Sequence, residues 1–396
     1  MPPTIDVARV RADTPATQTL THLNNAGASL AATPVLDAQI DYLRREATDG
    51  GYETADAHRE AFEASYDGIA ALIGAHRDEI ALQQSASMAW NLAFASLRLG
   101  PGDKVLTGHS EYIGNVFGLL QAAGRSGVEI EVIDDDEHGQ LSVEHLESRL
   151  DERVKLVAIA HVPTSGGLIN PAAAVGALTR AAGVPFLLDA CQSVGQLQVD
   201  VEAIGCDLLA ATGRKFLRAP RGTGFLFVRR ALLDQLDPPF MDNAGAEWVA
   251  DRRFAMRDDA RRFESFERSA AAQIGLKTAV DYALALGMDA IEARVVALGA
   301  QLRERLADLP GVVVHDQGLQ RCGIVTFTVT GWDATAVSAR LRTQRINTSV
   351  STGTFARWDI GRRGLPGVVR ASVHYYNDEG DLDRLTAAIA ELSSLS

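Results

Sequence analysis

The sequence predicts an α/β fold, with a large domain built on a mainly parallel sheet and a smaller C-terminal α+β domain. Strands near residues 129–133 and 154–161 bracket a helix at 142–150, and this alternation is the βαβ pattern of a parallel sheet. From about residue 311 the pattern changes to short strands and helices whose order indicates antiparallel pairing. With 396 residues, 46% of them apolar, the chain can bury cores of this size.

The early part of the chain is predicted to be mainly helical. Thr33-Pro34 is typical of a helix start, because the fixed φ of proline suits the first turn and its missing N–H is not needed there. Gly50-Gly51 interrupts the pattern, so two helices are expected in this region. Ser85 is a typical N-cap, since its hydroxyl can accept from a free N–H of the first turn. The predicted elements here are helices 34–47, 55–74 and 85–97 and a strand at 79–83.

The remaining elements are predicted from apolar runs bounded by turn residues. Residues 221–230 (RGTGFLFVRR) are predicted to form an edge strand that returns across the sheet. Residues 252–262, where arginines are interleaved with acids, are predicted to form a solvated loop. The other predicted strands are 104–107, 129–133, 154–161, 186–188, 208–211, 311–315, 322–329, 345–350 and 368–377, and the other predicted helices are 116–124, 142–150, one starting at 170–171, one ending near 286, 289–309, 333–343 and 378–394.

Two ionisable side chains, Asp189 and Lys215, follow neighbouring predicted strands where each strand ends. Ligands of open α/β sheets bind in the crevice at the carboxyl ends of the strands, so both groups are expected to face one ligand. Pyridoxal phosphate needs such a pair, because its aldehyde bonds covalently to a lysine and its ring nitrogen stays protonated against a carboxylate. For the two residues alone, an ordinary strand-end ion pair is an equal alternative.

The segments around this pair are DACQSVGQ, TGRKF and PRGTGFLFVRR. They resemble the class V, cysteine desulfurase-like branch of the fold-type I pyridoxal phosphate enzymes, and the resemblance extends with gaps from about residue 22 to the end. It implies that Lys215 carries the cofactor, that Asp189 pairs with its ring nitrogen and that Gln192 donates to its phenolic oxygen. It also implies that Thr212 and Arg214 bind the phosphate. Many relatives have histidine where this chain has Arg214, but a guanidinium can still clamp a phosphate.

The same resemblance assigns cofactor roles to residues elsewhere in the chain. Ala86 and Ser87 are expected to bind the phosphate, because free N–H groups and the positive dipole end of a helix favour an anion. Tyr112 is expected to stack on the pyridine ring, although a packing role is the alternative. Thr164 is expected to contact the phenolic oxygen.

Two segments are implied to contact the substrate. Asn25 and Ala28 lie in the NNAGAS turn, for which a simple structural turn is the alternative. Arg370 lies among apolar and small residues in VVRASVHYYN, where a charged guanidinium needs an anionic partner. Relatives carry an arginine in this motif that binds the substrate carboxylate, and an internal salt bridge is the alternative.

The resemblance also implies the domain organisation and the oligomeric state. An N-terminal segment (1–30) is expected to join the small domain, with the large cofactor-binding domain at 31–285 and the small domain at 286–396. A homodimer is expected, because in fold-type I enzymes the region before the first long helix near residue 270 reaches into the partner's site.

The reaction is predicted from the loop that precedes Arg370. Cysteine desulfurases of this branch attack the substrate sulfur with a cysteine on that loop, but residues 347–367 (NTSVSTGTFARWDIGRRGLPG) contain none. A β-elimination needs no protein nucleophile, so a carbon–sulfur lyase acting on cysteine or an S-substituted cysteine is favoured. The motifs also resemble lyases that cleave hercynylcysteine sulfoxide. An amino acid epimerase, an aminotransferase and a cysteine desulfurase are the alternatives.

Composition restricts the remaining possibilities. A net charge of −13 disfavours nucleic acid as a partner. The longest apolar runs are far shorter than the roughly 20 residues of a membrane span, so a cytoplasmic protein without membrane contact is expected. No G-x-G-x-x-G or Walker-type loop supports a nucleotide-binding protein without pyridoxal chemistry. The three cysteines, Cys191, Cys206 and Cys322, match no disulfide or zinc pattern, so no metal is expected.

Overall fold

The central feature of the computed structural model, which describes residues 4–394, is a seven-stranded mixed sheet. Its strand order is β2-β8-β7-β6-β5-β3-β4, and the five strands from β7 to β4 run parallel. The strands are β1 Thr21–His22, β2 Ile80–Gln83, β3 Lys104–Gly108, β4 Glu129–Ile133, β5 Val154–Ala160, β6 Phe186–Asp189, β7 Leu208–Thr212, β8 Gly224–Val228, β9 Ala246–Ala250, β10 Arg253–Met256, β11 Val312–Val314, β12 Ile324–Val329, β13 Ile346–Asn347, β14 Ser349–Ser351 and β15 Val368–Ser372.

Helices connect the parallel strands and cover the sheet. Leu187, Leu188 and their neighbours in the central strands are completely buried, so these strands are continuous apolar runs as a parallel sheet requires. The helices are α1 Val7–Ala12, α2 Thr33–Asp49, α3 Gly51–Ala57, α4 Arg59–Ile73, α5 Ala86–Ala95, α6 Ile113–Ser126, α7 Val143–Arg149, α8 Ala172–Ala182, α9 Val201–Ile204, α10 Ala270–Leu286, α11 Met288–Ala307, α12 Ala334–Thr343 and α13 Glu379–Ser393.

The C-terminal part contains a second, antiparallel sheet of order β11-β12-β15-β14. Helices α11, α12 and α13 pack on it. The α/β class with a mostly parallel sheet and the α+β character of the C-terminal part are therefore confirmed. Because α10 ends at Leu286 and α11 begins at Met288, the predicted boundary between residues 285 and 286 lies close to this junction, and the domain limits themselves remain a prediction.

The N-terminal segment pairs with the C-terminal part of the chain. Strand β1 lies parallel to β13, and Asn24 forms an isolated parallel bridge with Ser372. Arg11 also forms ion pairs with Asp378 and Asp381. The segment around Arg11, β1 and Asn24 is thus built into the same structure as the C-terminal part.

Several element predictions were wrong. Strand β8 is not at an edge, because it lies antiparallel between β2 and β7 and all five of its residues are buried. The predicted loop at 252–262 includes β10, which pairs with β9 in an exposed hairpin. The region 33–73 contains three helices and not two, because α3 begins directly after Gly50 and a second break at His58 separates it from α4. The predicted strand at 345–350 is two short strands with different partners.

None of the helices between residues 4 and 394 combines the length and the apolar character that a bilayer crossing requires.

Candidate active site

The carboxyl ends of β5, β6 and β7 lie side by side at one edge of the sheet. In the register of the parallel strands, Asp189 pairs with Ala160 on one side and with Ala210 on the other. Lys215 follows three residues after the end of β7. Neighbouring strands therefore bring the acid and the lysine to the same edge, as the sequence indicated.

One cavity at this edge is lined by every residue that was predicted to bind the cofactor. The sequence motifs that supply these residues are separated by up to about 130 positions, and the fold collects them around a single cleft. They are Ala86, Ser87, Tyr112, Thr164, Asp189, Gln192, Thr212, Arg214 and Lys215.

The N-terminus of α5 forms an anion-binding end of the cavity. Ser85 caps the helix by accepting from the N–H of Met88, and the N–H groups of Ala86 and Ser87 have no acceptor among residues 4–394. Arg214 lines the same cavity and donates from its guanidinium to the carbonyl oxygen of Gly27. Free N–H groups beside a guanidinium match the requirements of a phosphate group.

Lys215 is buried, and its side-chain amine carries no hydrogen bond or ion pair to another described residue. Burial lowers the pKa of its amine, and the positive charges of Arg214 and Arg370 lower it further, while Cys191 and Asp189 oppose this. A lysine with a depressed pKa and no partner is suited to act as a nucleophile and a base.

Asp189 is held by two donors. Its Oδ1 accepts from the N–H of Cys191 at 2.9 Å, and its Oδ2 accepts from Nδ2 of Asn115 at 2.7 Å. These contacts fix the plane of the carboxylate at the wall of the cavity, where it can face a ring nitrogen.

Gln192 and Thr164 form a bonded pair on another wall. Nε2 of Gln192 donates to Oγ1 of Thr164 at 2.8 Å and to the carbonyl oxygen of Ala26 at 3.1 Å. Its Oε1 is buried without a partner in the described part of the chain. The predicted role of Gln192 as a donor to the phenolic oxygen therefore requires its amide to release one of these acceptors, and it remains a prediction.

Arg370 is buried beside this pair. Its Nη1 donates to the carbonyl oxygen of Thr164 at 2.6 Å and to Oγ1 of the same residue at 3.0 Å, and its Nε donates to Ser349 at 2.9 Å. Within residues 4–394 no carboxylate lies within 4.0 Å of its guanidinium. Burial and the charge of Arg214 lower the pKa of Arg370 to about 10. Arg370 is therefore a buried cation without a carboxylate partner in the described part of the chain, so the internal salt bridge considered for it is not present there.

The NNAGAS turn approaches the site through a different asparagine than the one predicted. The amide of Asn25 is completely buried, donates to the carbonyl oxygen of Ser372 at 2.7 Å and accepts from the hydroxyl of Tyr376. The carbonyl oxygen of Ala28 contacts the ring of His22. Asn24 instead has its Oδ1 3.4 Å from Nη2 of Arg370. Neither Asn25 nor Ala28 lines the cavity; the side chain of Asn25 and the carbonyl group of Ala28 hold the turn in place, and contact of these residues with a substrate remains a prediction.

Sequence reasoning missed further residues at or beside this site. Glu111 and Asn115 form a buried network with Asp189, and Cys191 lines the cavity. His161 follows β5, and burial lowers the pKa of its ring to about 4. The spacing of Glu111 and Asn115 by four residues at the start of a helix was a usable signal, but nothing in it indicated Asp189.

The loop at 347–367 is held close to the cavity. Asp359 lies in a short π-helical turn, Arg357–Gly361, and accepts from Oγ of Ser165 at 2.6 Å. Ser165 is adjacent to Thr164 of the cavity wall. The loop therefore lies beside the substrate side of the site, and it contains no cysteine.

The donor set fits pyridoxal phosphate, since a free lysine, a fixed carboxylate and an anion-binding helix end occur together. This arrangement at the carboxyl edge of a mainly parallel sheet is that of the fold-type I pyridoxal phosphate enzymes, and the chain is an enzyme of that class. The aminotransferase class-V family matches residues 21–385, so the chain belongs to this family.

Comparisons with individual proteins support the assignment of the chain to this family. The chain is 26% identical over 393 residues to a probable cysteine desulfurase of Methanothermobacter thermautotrophicus, with 98% of each chain covered. It is 30% identical over 403 residues to a probable cysteine desulfurase of Halobacterium salinarum, covering 98% of this chain and 96% of the relative. The solved structure of cysteine desulfurase from Thermococcus onnurineus superposes with a TM-score of 0.93 at 27% identity over all of both chains. A cystine C–S lyase in complex with cysteine persulfide shares the fold, with a TM-score of 0.87 at 21% identity, over 96% of this chain and 99% of the other.

Proposed function

We propose that this enzyme is a carbon–sulfur lyase that cleaves cysteine or an S-substituted cysteine by β-elimination. The observation that carries the proposal is the pair of buried basic side chains, Lys215 in the cavity and Arg370 beside it, neither with a carboxylate partner in the described part of the chain, next to a loop that lacks a cysteine. The amine of Lys215, whose pKa is lowered, is suited to remove a proton, and the guanidinium of Arg370 is suited to bind a carboxylate, so together they select an α-amino acid.

Each residue has a separate task in this proposal. Arg370 binds the substrate carboxylate through its guanidinium, on the side of Nη2 that lies next to Asn24. Lys215 holds the cofactor covalently at rest, and its Nζ takes the α-proton of the bound amino acid. Asp189 pairs with the ring nitrogen, while the N–H groups of Ala86 and Ser87 and the guanidinium of Arg214 bind the phosphate. When bound, pyridoxal phosphate supplies the electron sink that stabilises the negative charge left on the α-carbon.

The elimination balances without a protein nucleophile. After the α-proton has moved to Lys215, the Cβ–S bond breaks and the sulfur leaves with the bonding electron pair. The three-carbon product is released as an enamine, which water converts to pyruvate and ammonia. The departing sulfur takes up a proton as a thiol, or leaves as a persulfide if the substrate is cystine.

A cysteine desulfurase is the second candidate, because the relatives named above carry that name. Such an enzyme needs a thiol that attacks the substrate sulfur. Cys206 and Cys322 are completely buried, and Cys191 lines the cavity next to Asp189 with its thiol pKa raised well above the ordinary value, mainly by burial. A protonated thiol is a poor nucleophile, which favours the lyase.

Product analysis separates the candidates. With L-cystine, an S-alkyl cysteine or a cysteine sulfoxide such as hercynylcysteine sulfoxide, we expect pyruvate and ammonia in equal amounts. Replacing all three cysteines by alanine or serine should leave turnover largely intact. Alanine as the product, lost in the cysteine-free variant, would establish a desulfurase. Inversion of the α-carbon alone would indicate an epimerase, and consumption of a keto acid an aminotransferase.

We also infer that the protein is a homodimer. Trp248 and Phe254, on the hairpin formed by β9 and β10, are 79% and 62% exposed, which is unusual for large apolar side chains of a monomer. Sedimentation equilibrium should give twice the chain mass of 42.4 kDa, and the chain mass itself would refute the dimer.

A further inference from the structure

Glu111 is a buried carboxylate that the proposed reaction does not use. It precedes α6 by two residues and is 9% exposed. Its Oε1 accepts from the N–H of Ala160, the last residue of β5, at 2.5 Å. Its Oε2 accepts from Nδ2 of Asn115 at 3.1 Å. A carboxylate is costly to bury, so this position needs an explanation beyond packing.

Asn115 connects Glu111 to Asp189. The same Nδ2 that donates to Glu111 also donates to Oδ2 of Asp189 at 2.7 Å, so the two N–H groups of one amide serve two carboxylates. Reversing the amide would place its oxygen against both anions. Each carboxylate therefore fixes the orientation of the Asn115 amide, and this amide in turn fixes the orientation of the Asp189 carboxylate.

The charges of this network are unbalanced. Burial, and then the negative charge of Asp189, raise the pKa of Glu111 to about 8, against the donors Asn115, Ala160 and Tyr112. Asp189 is the charged group that acts on Glu111, and Asp189 is itself faced by the thiol of Cys191 and the amine of Lys215. A cation placed against Asp189 would relieve the repulsion between the two carboxylates.

We propose that Glu111 is a positioning residue for the cofactor, which acts through Asn115 to orient Asp189. With the amide of Asn115 held by Glu111, the carboxylate of Asp189 keeps the orientation in which it pairs with the protonated ring nitrogen of pyridoxal phosphate. The inference rests on the proposed function only in assigning Asp189 to the ring nitrogen. It explains why an acid is buried next to another acid at a site that binds a cationic ring.

The test measures the protonation of the ring nitrogen itself. The protein is loaded with pyridoxal phosphate labelled with ¹⁵N in the ring, and the ¹⁵N chemical shift is followed against pH in wild type, Glu111→Gln and Asn115→Ala. Both variants should lose the ring proton at a pH lower by about one unit, because the carboxylate of Asp189 is no longer held in its orientation toward the ring. Their affinity for pyridoxal phosphate should fall by about tenfold, the size of one hydrogen bond to a charged group.

Glu79→Gln is the matched control. Glu79 is also buried and accepts two backbone N–H groups, from His76 and Arg230, but these hydrogen bonds do not connect it to Asn115 or Asp189. It should lose stability without changing the ¹⁵N titration. An unchanged titration in Glu111→Gln and Asn115→Ala, or an equal change in Glu79→Gln, would overturn the inference. A wild-type ring nitrogen that is unprotonated at neutral pH would instead refute the assignment of Asp189, and the inference with it.

Discussion

Replacing Arg370 by methionine should separate a functional arginine from a structural one. The pKa of Arg370 is lowered to about 10, about 2.5 below the ordinary value for arginine. At about 1.36 kcal/mol for each pKa unit, the buried charge costs the folded protein about 3 kcal/mol. Its three short hydrogen bonds to Thr164 and Ser349 return about 1 kcal/mol each. The two contributions nearly cancel, so Arg370→Met should leave the free energy of unfolding almost unchanged.

The same substitution should strongly reduce activity. Losing a charge-assisted contact to the substrate carboxylate is expected to cost about 2–4 kcal/mol, a decrease in kcat/KM of about 30- to 1000-fold. The assay is pyruvate release from a cysteine S-conjugate, together with urea denaturation of the protein without substrate.

Arg303 provides the matched control. It is buried as well, but its Nε lies 2.7 Å from Oδ2 of the buried Asp316. Arg303→Met leaves that carboxylate unpaired and should destabilise the protein by about 3–5 kcal/mol. If Arg370→Met loses as much stability as Arg303→Met, or keeps full kcat/KM, the assignment of Arg370 to the substrate carboxylate is wrong.

Two further predictions concern the cofactor. Lys215→Ala should bind pyridoxal phosphate without a covalent bond, so that borohydride treatment no longer fixes the cofactor to the protein; persistent labelling would point to another lysine. Asp189→Asn should keep the covalent bond but lose most activity, because a neutral amide cannot hold the ring nitrogen protonated. Unchanged turnover in Asp189→Asn would mean that another group pairs with the ring.

The sequence predicted the parts of the site that follow strands. Asp189 and Lys215 were found because apolar runs end at them, and parallel strands deliver their ends to one edge. Arg370 was found because a charge inside an apolar run is conspicuous. In these cases a local pattern carries the information.

Residues that act through contacts distant in sequence were not found. Glu111 and Asn115 look like ordinary residues at a helix start, and their partner Asp189 is 74 positions from Asn115. The choice between Asn24 and Asn25 depends on how the turn packs against Ser372 and Arg370, about 346 positions later. The position of β8 in the sheet depends on the strands with which it pairs, which its own sequence does not specify. Its run of five apolar residues is nevertheless more typical of an interior strand than of an edge strand.

The pairing of the N-terminal segment with β13 and Ser372 affects the order in which the enzyme folds during its synthesis. Asn24 reaches Arg370 only after a loop of 346 residues has closed. Loop-closure entropy grows slowly with length, so the final structure bears this cost easily, but a ribosome-bound chain cannot form the contact until residue 372 has emerged. The parallel sheet and the lysine site can form earlier. The site proposed for the substrate carboxylate is therefore the last part to mature, and a chain interrupted late in synthesis would carry the residues that line the cavity without Arg370, which we propose to bind that carboxylate.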